Sequence, residues 1–354
     1  MTQHSLEVPS PDGVAESAAR ARQLQLTKPP GALGRLEELA CWLAARLRNP
    51  VPDMPRSEIF VFAADHGVAS RGVSAFPQSV TASMLANFAH GGAAINVLAA
   101  LEECRIEVVD VGVASEDGPP AGIRNERIRA GTRDLSTGAA LTPGELEAAL
   151  DVGARCANEA VNRGAQLLIA GDMGIANTTA AACLICSFTG ASPERVVGRG
   201  TGLDDAGLER KRELVTGALA RVKLDPRLQM ASQTPLLVLA ELGGLEIAAM
   251  AGFYLESARR GIPMLLDGYI SAAAALIAAA IEPRALGWMI ASHLSAEPGH
   301  AVALEALHLD PLLELGMRLG EGTGAALTLP IIRAALALHR SMATFSEAGV
   351  AGKI

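Results

Sequence analysis

Apolar residues in this chain alternate between short unbroken runs and longer stretches at helical spacing, and the switches between them predict most of its elements. From residue 15 to 45, Leu24, Leu33, Leu36, Leu39, Trp42 and Leu43 fall near helical spacing, interrupted by Pro29-Pro30-Gly31. At Glu58 the rhythm changes. Glu58-Ile-Phe-Val-Phe-Ala-Ala reads as a strand buried on both faces, ending at Asp65-His66-Gly67. After a loop, one helix is predicted from Val80 to Leu101, running through Gly91-Gly92-Ala93-Ala94. A strand over Ile106 to Val113 follows, and then a polar, Pro/Gly-rich segment to Leu141.

The same alternation continues. A helix over 143–163 feeds a strand from Gln166 to Ala170, the glycine-rich Gly171 to Thr179 and an apolar helix over 180–188. Residues 204–223 are amphipathic helix, Pro235 to Ala240 a strand or a short buried helix, and Gly243-Gly244 opens a helix to Arg260. Pro263 to Leu266 is a strand ending at Asp267-Gly268, with an Ala-rich helix behind it. A last strand over Leu286 to Ser292 ends beside His293. Repeated strand, glycine turn and helix predict an α/β fold with an open, doubly wound, mostly parallel sheet. In such a sheet ligands gather at the carboxyl ends of the strands, where the glycine clusters and lone polar residues fall.

Composition sharpens this. Half of the 354 residues are hydrophobic but only 3% are aromatic, so the core is built from Ala, Leu, Val and Ile. The net charge of −8, with no basic run and few aromatic residues to stack bases, argues against nucleic acid as a partner. An anionic substrate must then be held by a local site. Met1 to Gly13 is polar without a signal-peptide core, and the longest apolar run, Ile270 to Ile281, is shorter than the ~20 residues of a membrane span. Five cysteines without framework spacing fit a reducing cytoplasm. Cys183 and Cys186 read as small hydrophobes on an apolar helix.

Three segments carry candidate chemistry. Gly171-Asp-Met-Gly-Ile-Ala-Asn-Thr-Thr179 leads from a strand into a helix that Asn177, Thr178 or Thr179 could cap, and its free amides and hydroxyls make a phosphate cradle. Gly198-Arg-Gly-Thr-Gly202 precedes a helix bearing Lys211 and Arg212, cations that the chain as a whole lacks in excess. Ordinary capped turns would look the same, and neither segment has the Walker or dinucleotide spacing. In Gly320-Glu321-Gly322-Thr323-Gly324, the flanking glycines let substrate approach a carboxylate whose pKa burial would raise toward a general base's range. Helix capping by Glu321 or Thr323 is the structural alternative.

Asp65-His66 at its strand end is open to three readings: a base pair, a metal ligand set, or a turn in which Asp65 bonds the backbone. No second histidine at ligand spacing supports the metal. His293 and His300 flank a Pro-Gly turn and read as structural. Asp267 could take a ribose hydroxyl or cap the next helix.

Taken in order, these stretches resemble the nicotinate-nucleotide–dimethylbenzimidazole phosphoribosyltransferases, which help assemble the lower ligand of cobamides. The matching stretches are Lys28 to Glu37, Ala64-Asp-His-Gly-Val68, Gly91 to Leu98, Gly171 to Thr179, Gly198 to Gly202 with Lys211, Leu242 to Ala248, Leu266-Asp-Gly268 and Gly320 to Ala325. They cover the chain from about residue 20 onward. The resemblance implies a large α/β domain over 55–320, a small helical domain from 1–54 plus 321–354, and a homodimer. It implies no cofactor or metal, with nicotinate mononucleotide and dimethylbenzimidazole as substrates.

In the same way it implies Glu321 as general base and a phosphate and ribose site at Gly174, Ala176, Asn177, Thr178, Gly200, Thr201, Lys211 and Asp267. The acceptor base would lie against Ser74, Phe76, Ser83, Met84, Asp172 and Met173. The family's pattern has Glu where Asp172 stands, Gly where Ala176 stands and often Gln where Ser83 stands. The first departure shortens a polar arm. The second puts a Cβ where a glycine is free to take positive φ. The third touches the grip on the acceptor.

The chemistry fits so sparse a site. The ring nitrogen of nicotinate mononucleotide is already cationic, so nicotinate leaves without needing a proton or a metal clamp. One imidazole nitrogen attacks C1 of the ribose while the other gives up its proton, for which one carboxylate suffices. Rival readings are a different acceptor base on the same fold, a magnesium-dependent transferase using phosphoribosyl pyrophosphate, and a nucleotide sensor without catalysis. The second needs an acidic pair before its loop, and Asp204-Asp205 comes after.

Overall fold

The computed structural model describes residues 7–224 and 235–351; Met1 to Leu6 of the polar N-terminal segment lie outside them. Six parallel strands form one sheet: β1 (Ser57–Ala64), β2 (Arg105–Gly112), β3 (Arg124–Asn125), β4 (Leu167–Met173), β5 (Met264–Leu266) and β6 (Met289–Ala291). Their order is β3-β2-β1-β4-β5-β6. That is the doubly wound arrangement, with a topological switch between β1 and β4.

Alternation along the strands explains why both faces are covered. Phe60, Phe62, Ala64, Leu168 and Ala170 face one core, with the helices Pro143–Asn162, Asn177–Thr189, Leu245–Arg259 and Tyr269–Ile281. Ile59, Val61, Ala63, Leu167 and Ile169 face the other, with Arg35–Leu47, Val80–Ala89, Ala94–Leu101 and Thr323–Ser341. On the first face helices touch backbone to backbone. A Cβ on Gly153 would stand 1.7 Å from the Ala249 carbonyl oxygen, and one on Gly252 would stand 2.1 Å from that of Leu150. Glycine stands at these contacts because a larger side chain would force the helices apart.

The chain ends meet on the second face. Leu26 bridges to Thr344, and Arg22 donates to the carbonyls of His339 and Arg340. The Gln23 amide bonds His339 Nδ1 at 2.8 Å. Arg35–Leu47 and Thr323–Ser341 then share one apolar cluster with β1 and β4.

Several boundaries differ from expectation. The apolar stretch Val80–Leu101 is two helices, because Gly91 turns the chain at φ 76° and a Cβ on Gly92 would strike the Asn87 side chain. Each helix is far too short for a ~30 Å hydrocarbon core at 1.5 Å per residue. β4 does not stop at Ala170; Gly171, Asp172 and Met173 continue the ladder opposite Val61, Phe62 and Ala63. Pro235–Leu242 is a helix, and the first three residues of the last predicted strand, from Leu286, belong to a 3-10 turn, Pro283–Trp288, with Met289–Ala291 extended as expected. β3, two residues long, had no distinct pattern in the sequence.

Candidate active site

The strands end in turns that surround a cavity of about 350 Å3 at the carboxyl edge of the sheet, within the range of small-molecule sites. Its floor begins at β4. Gly174 lets the chain turn tightly, since a Cβ there would lie 2.3 Å from the Ala64 carbonyl oxygen. Ala176 then takes φ 75°, a left-handed conformation that costs a non-glycine residue on the order of 1–2 kcal/mol. A Cβ is therefore held at positive φ in this turn. The helix starting at Asn177 has no side-chain cap at its N-terminus. Asn177 instead donates to Asp172 Oδ2 at 2.8 Å, and Thr178 Oγ1 accepts from Lys211 at 2.8 Å. An uncapped helix start is a ready anion site.

Gly200, at φ 54°, closes the second loop over this turn; a Cβ there would meet Thr178 Oγ1 at 2.9 Å. Lys211 is 1% exposed and donates to Thr178 and to the Gly198 carbonyl, and burial pushes its ammonium down to about 8 against the pull of Glu297. It does not line the cavity but acts on it through Thr178. Of the paired acids after this loop, Asp204 caps its helix by accepting from the Gly207 amide and Asp205 pairs with Arg199.

Glu321 forms the opposite wall. Gly320, Glu321 and Gly322 take φ values of 84°, 64° and 89°, three left-handed residues in succession. The Glu321 amide donates to the Asp172 carbonyl at 3.2 Å, and a Cβ on Gly171 would lie 2.2 Å from the Glu321 carbonyl carbon. The loop thus lies directly on β4. Glu321 caps nothing on its own helix. Its carboxylate is 3% exposed, receives the Ile95 amide from the start of Ala94–Leu101, and leaves Oε2 without a partner among the described residues. Burial pushes it up to about 7, with the Ile95 bond opposing and the Asp267 carboxylate adding to the rise. Next to it, burial and then the charges of Asp267 and Glu246 raise Asp172 well above the carboxylate range.

Ten of the expected residues line this cavity: Phe76, Met84, Asp172, Met173, Gly174, Asn177, Thr178, Gly200, Thr201 and Glu321. Five do not. Ser74 bonds Thr201 Oγ1 at 3.1 Å from the rim, and Ala176 and Lys211 support the floor from beneath. Ser83 is exposed and bonds only the Ser79 carbonyl, because residues one apart on a helix point about 100° apart and Met84 takes the inward position. Asp267 is 1% exposed, and its oxygens accept from the Gly322 and Ala325 amides at 3.0 Å, on a helix distant in sequence rather than the next one.

His293, expected to be structural, lines the cavity, bonded through Nδ1 to Ser292 Oγ at 3.1 Å. His300 is structural: Nδ1 accepts from the Ser295 amide, and burial lowers its pKa to about 3. Tyr269, Ser295, Glu297 and Arg318 also line the cavity. The strand-end rule, applied to β5 and β6, could have found Tyr269 and His293. Nothing local marked Arg318, which donates to the Gly200 carbonyl and so ties the two walls together. At β1, Asp65 accepts from Thr81 and the Ala114 amide, and His66 forms a wholly buried pair with Glu246 at 2.6 Å. Burial lifts both Cys183 and Cys186 thiols, the latter to about 12, as expected of inert core residues.

The cavity therefore joins an uncapped helix start beside a buried lysine, an apolar wall of Phe76, Val80, Met84 and Leu319, and a carboxylate tuned near neutrality. Comparison with known proteins gives the family. A phosphoribosyltransferase family model, DBI_PRT, matches residues 8–350. The chain belongs to this family. Among DBI_PRT relatives, the nicotinate-nucleotide–dimethylbenzimidazole phosphoribosyltransferase of Chromobacterium violaceum is 58% identical over 339 residues, 96% of each chain. The protein of the same name from Mycobacterium avium is 52% identical over 344 residues, 97% of each. The crystal structure of the Thermus thermophilus phosphoribosyltransferase of that name superposes with a TM-score of 0.89 at 49% identity, covering 97% of this chain and 100% of its own. As a DBI_PRT member the chain is a pentosyl-transferring enzyme on a doubly wound α/β fold.

Proposed function

We propose that this enzyme moves the 5-phosphoribosyl group from nicotinate mononucleotide to 5,6-dimethylbenzimidazole, with Glu321 as general base, giving α-ribazole 5'-phosphate and nicotinate. The observation that carries it is the Glu321 carboxylate: buried, one oxygen unpartnered, raised to about 7, and in the same cavity as the uncapped helix start at Asn177. A base works best with a pKa near the operating pH.

In this reading the 5'-phosphate docks against Gly174, Asn177, Thr178, Gly200 and Thr201, with Lys211 supplying charge through Thr178. The benzimidazole lies along Phe76, Met84 and Met173. One of its nitrogens attacks C1 of the ribose while Glu321 takes the proton from the other. The C1–N bond to the cationic nicotinate ring breaks with its electron pair returning to that nitrogen. Attack from the opposite face turns a β linkage into α. Positioning supplies much of the rate. The step calls for no resident metal or cofactor. Names carried by relatives at 52% and 58% identity support the substrate pair. We further propose a homodimer in the cytoplasm; the five unpaired thiols suit a reducing compartment.

The test is to mix the pure protein with nicotinate mononucleotide and dimethylbenzimidazole in EDTA, and to follow nicotinate release and ribosylated product. Product formed in the chelator supports the reaction and its metal independence. A folded protein that binds the nucleotide but makes no product overturns the acceptor assignment. A purine or a phenol as acceptor would then be tried, and silence with every acceptor would leave a nucleotide sensor.

A further inference from the structure

The Thr323–Ser341 helix begins without a capping side chain of its own, because Gly322 stands at its N-cap. The first amides of a helix have no partner within it and need one from elsewhere. Here the partner comes from the end of β5. Asp267 Oδ2 accepts from Gly322 and Oδ1 from Ala325, each at 3.0 Å, and the Gly324 amide also bonds this carboxylate. Asp267 is itself fixed on both sides. Its amide donates to Ser271 Oγ at 3.0 Å, and its carbonyl accepts from Ser292 Oγ at 3.2 Å.

This carboxylate holds the far side of a strained loop. Glu321, at φ 64° between two left-handed glycines, is tied to β4 by its own amide and to β5 by that of the next residue. A left-handed non-glycine residue persists only where its surroundings over-determine it. A capping carboxylate at a helix start is common, but one delivered across 55 residues of sequence to the amide next to a buried acid has a second consequence. Moving it moves the acid.

We propose that Asp267 is a positioning residue for the transfer reaction: by holding the amides of Gly322, Gly324 and Ala325 it keeps the 320–322 loop left-handed and aims the Glu321 carboxylate into the cavity. The inference rests on the assignment of Glu321 as the base. It replaces a ribose contact for Asp267, whose oxygens are taken up by the loop.

The test compares the full-length enzyme with Asp267→Asn, which keeps the shape but turns one acceptor into a donor facing an amide. Nucleotide affinity is measured by calorimetry and initial rates are followed from pH 5 to 9. The groups facing Glu321 are Asp267 and Asp172 from the ends of β5 and β4, His293 beyond β6, Glu297, and Arg318 on its own loop. Loss of the Asp267 charge lets the acid limb of the rate profile move to lower pH. The expected result is nucleotide affinity within a few-fold of the wild type and kcat lower by about 10²-fold, the scale of a misplaced catalytic group, with the acid limb displaced. Unchanged kcat overturns the proposal, as does a loss of affinity with kcat retained, which would return Asp267 to the sugar. A fall in kcat with an unmoved acid limb and a lowered melting temperature also overturns it, leaving a purely structural cap.

If the wild type itself makes no product, the base assignment is what has failed. Amide hydrogen exchange then reads the clamp alone: Gly322 and Ala325 exchange faster in Asp267→Asn, and equal rates overturn it. If Asp267→Asn does not fold, Gly322→Ala strains the same loop at φ 89°, where its Cβ makes only ordinary contacts of 3.4 Å or more. Lost kcat with retained nucleotide binding supports the proposal, and unchanged kcat overturns it.

Discussion

The backbone of Glu321 rests on that of Asp172: the amide of the first donates to the carbonyl of the second at 3.2 Å, with Gly171 leaving room beside it. The acid is thus fixed to the strand whose end builds the phosphate turn. Replacing Glu321 with Gln leaves this backbone contact in place and removes only the proton acceptor. Turnover is expected to fall by roughly 10²–10⁴-fold, with nucleotide affinity within a few-fold of the wild type. Steady-state rates beside a direct binding titration decide this, and near-normal turnover would remove Glu321 from the mechanism.

The dependence of kcat/KM on pH should be a narrow bell. Glu321 accepts a proton only when ionised, so activity falls as pH drops below about 7. Lys211 supports the phosphate turn only when charged, so nucleotide capture weakens as pH rises above about 8. Substituting Lys211 with Met should abolish the alkaline limb and leave the acid limb in place. An alkaline limb that survives belongs to another group.

The same carboxylate costs stability. Glu321 keeps its proton up to about 7 in the folded chain but would lose it near 4.5 when unfolded. The folded state binds the extra proton between those values, so stability drops as pH rises through that window and the penalty is complete above it. Glu321→Gln should therefore be more stable than the wild type at pH 8, by on the order of 1 kcal/mol, and lose that advantage near pH 4. Urea melts at both pH values test it.

Ala176 offers a change in the other direction. Substituting Gly at φ 75° releases the left-handed penalty of ~1–2 kcal/mol and adds ~0.4–1 kcal/mol of unfolded-chain entropy. Deleting the buried Ala176 methyl costs about 0.8 kcal/mol more, so the melting temperature should stay nearly unchanged, with KM for the nucleotide unchanged or lower. A fall by the full loss of methyl and chain entropy would show that the turn is not strained.

How much of this was legible depended on distance along the chain. Strands β1 and β2 were read almost to the residue, β1 because its apolar run is buried on both faces and β2 because it is buried from Val108 onward and ends at a glycine. β4 was cut short because Gly-Asp-Met-Gly looks like a turn locally, and only pairing with β1 keeps it extended. Phe76, Met84 and Thr178, named through the resemblance, line the cavity, but Ser83 faces solvent because its neighbour takes the inward side of the helix. The bonds of Asp267 could not be read at all: its partners lie 55 and 58 residues away, and no local pattern records a bond of that span.

The helix pair Pro143–Asn162 and Leu245–Arg259 carries a different kind of consequence. With Gly153 and Gly252 pressed against opposing carbonyls, even one added methyl would collide with backbone, although both positions lie on the helical layer rather than in the cavity. Selection for a catalyst will therefore also preserve two positions that do no chemistry. A survey of tolerated variants would find them as silent as the carboxylate itself, for reasons of clearance alone.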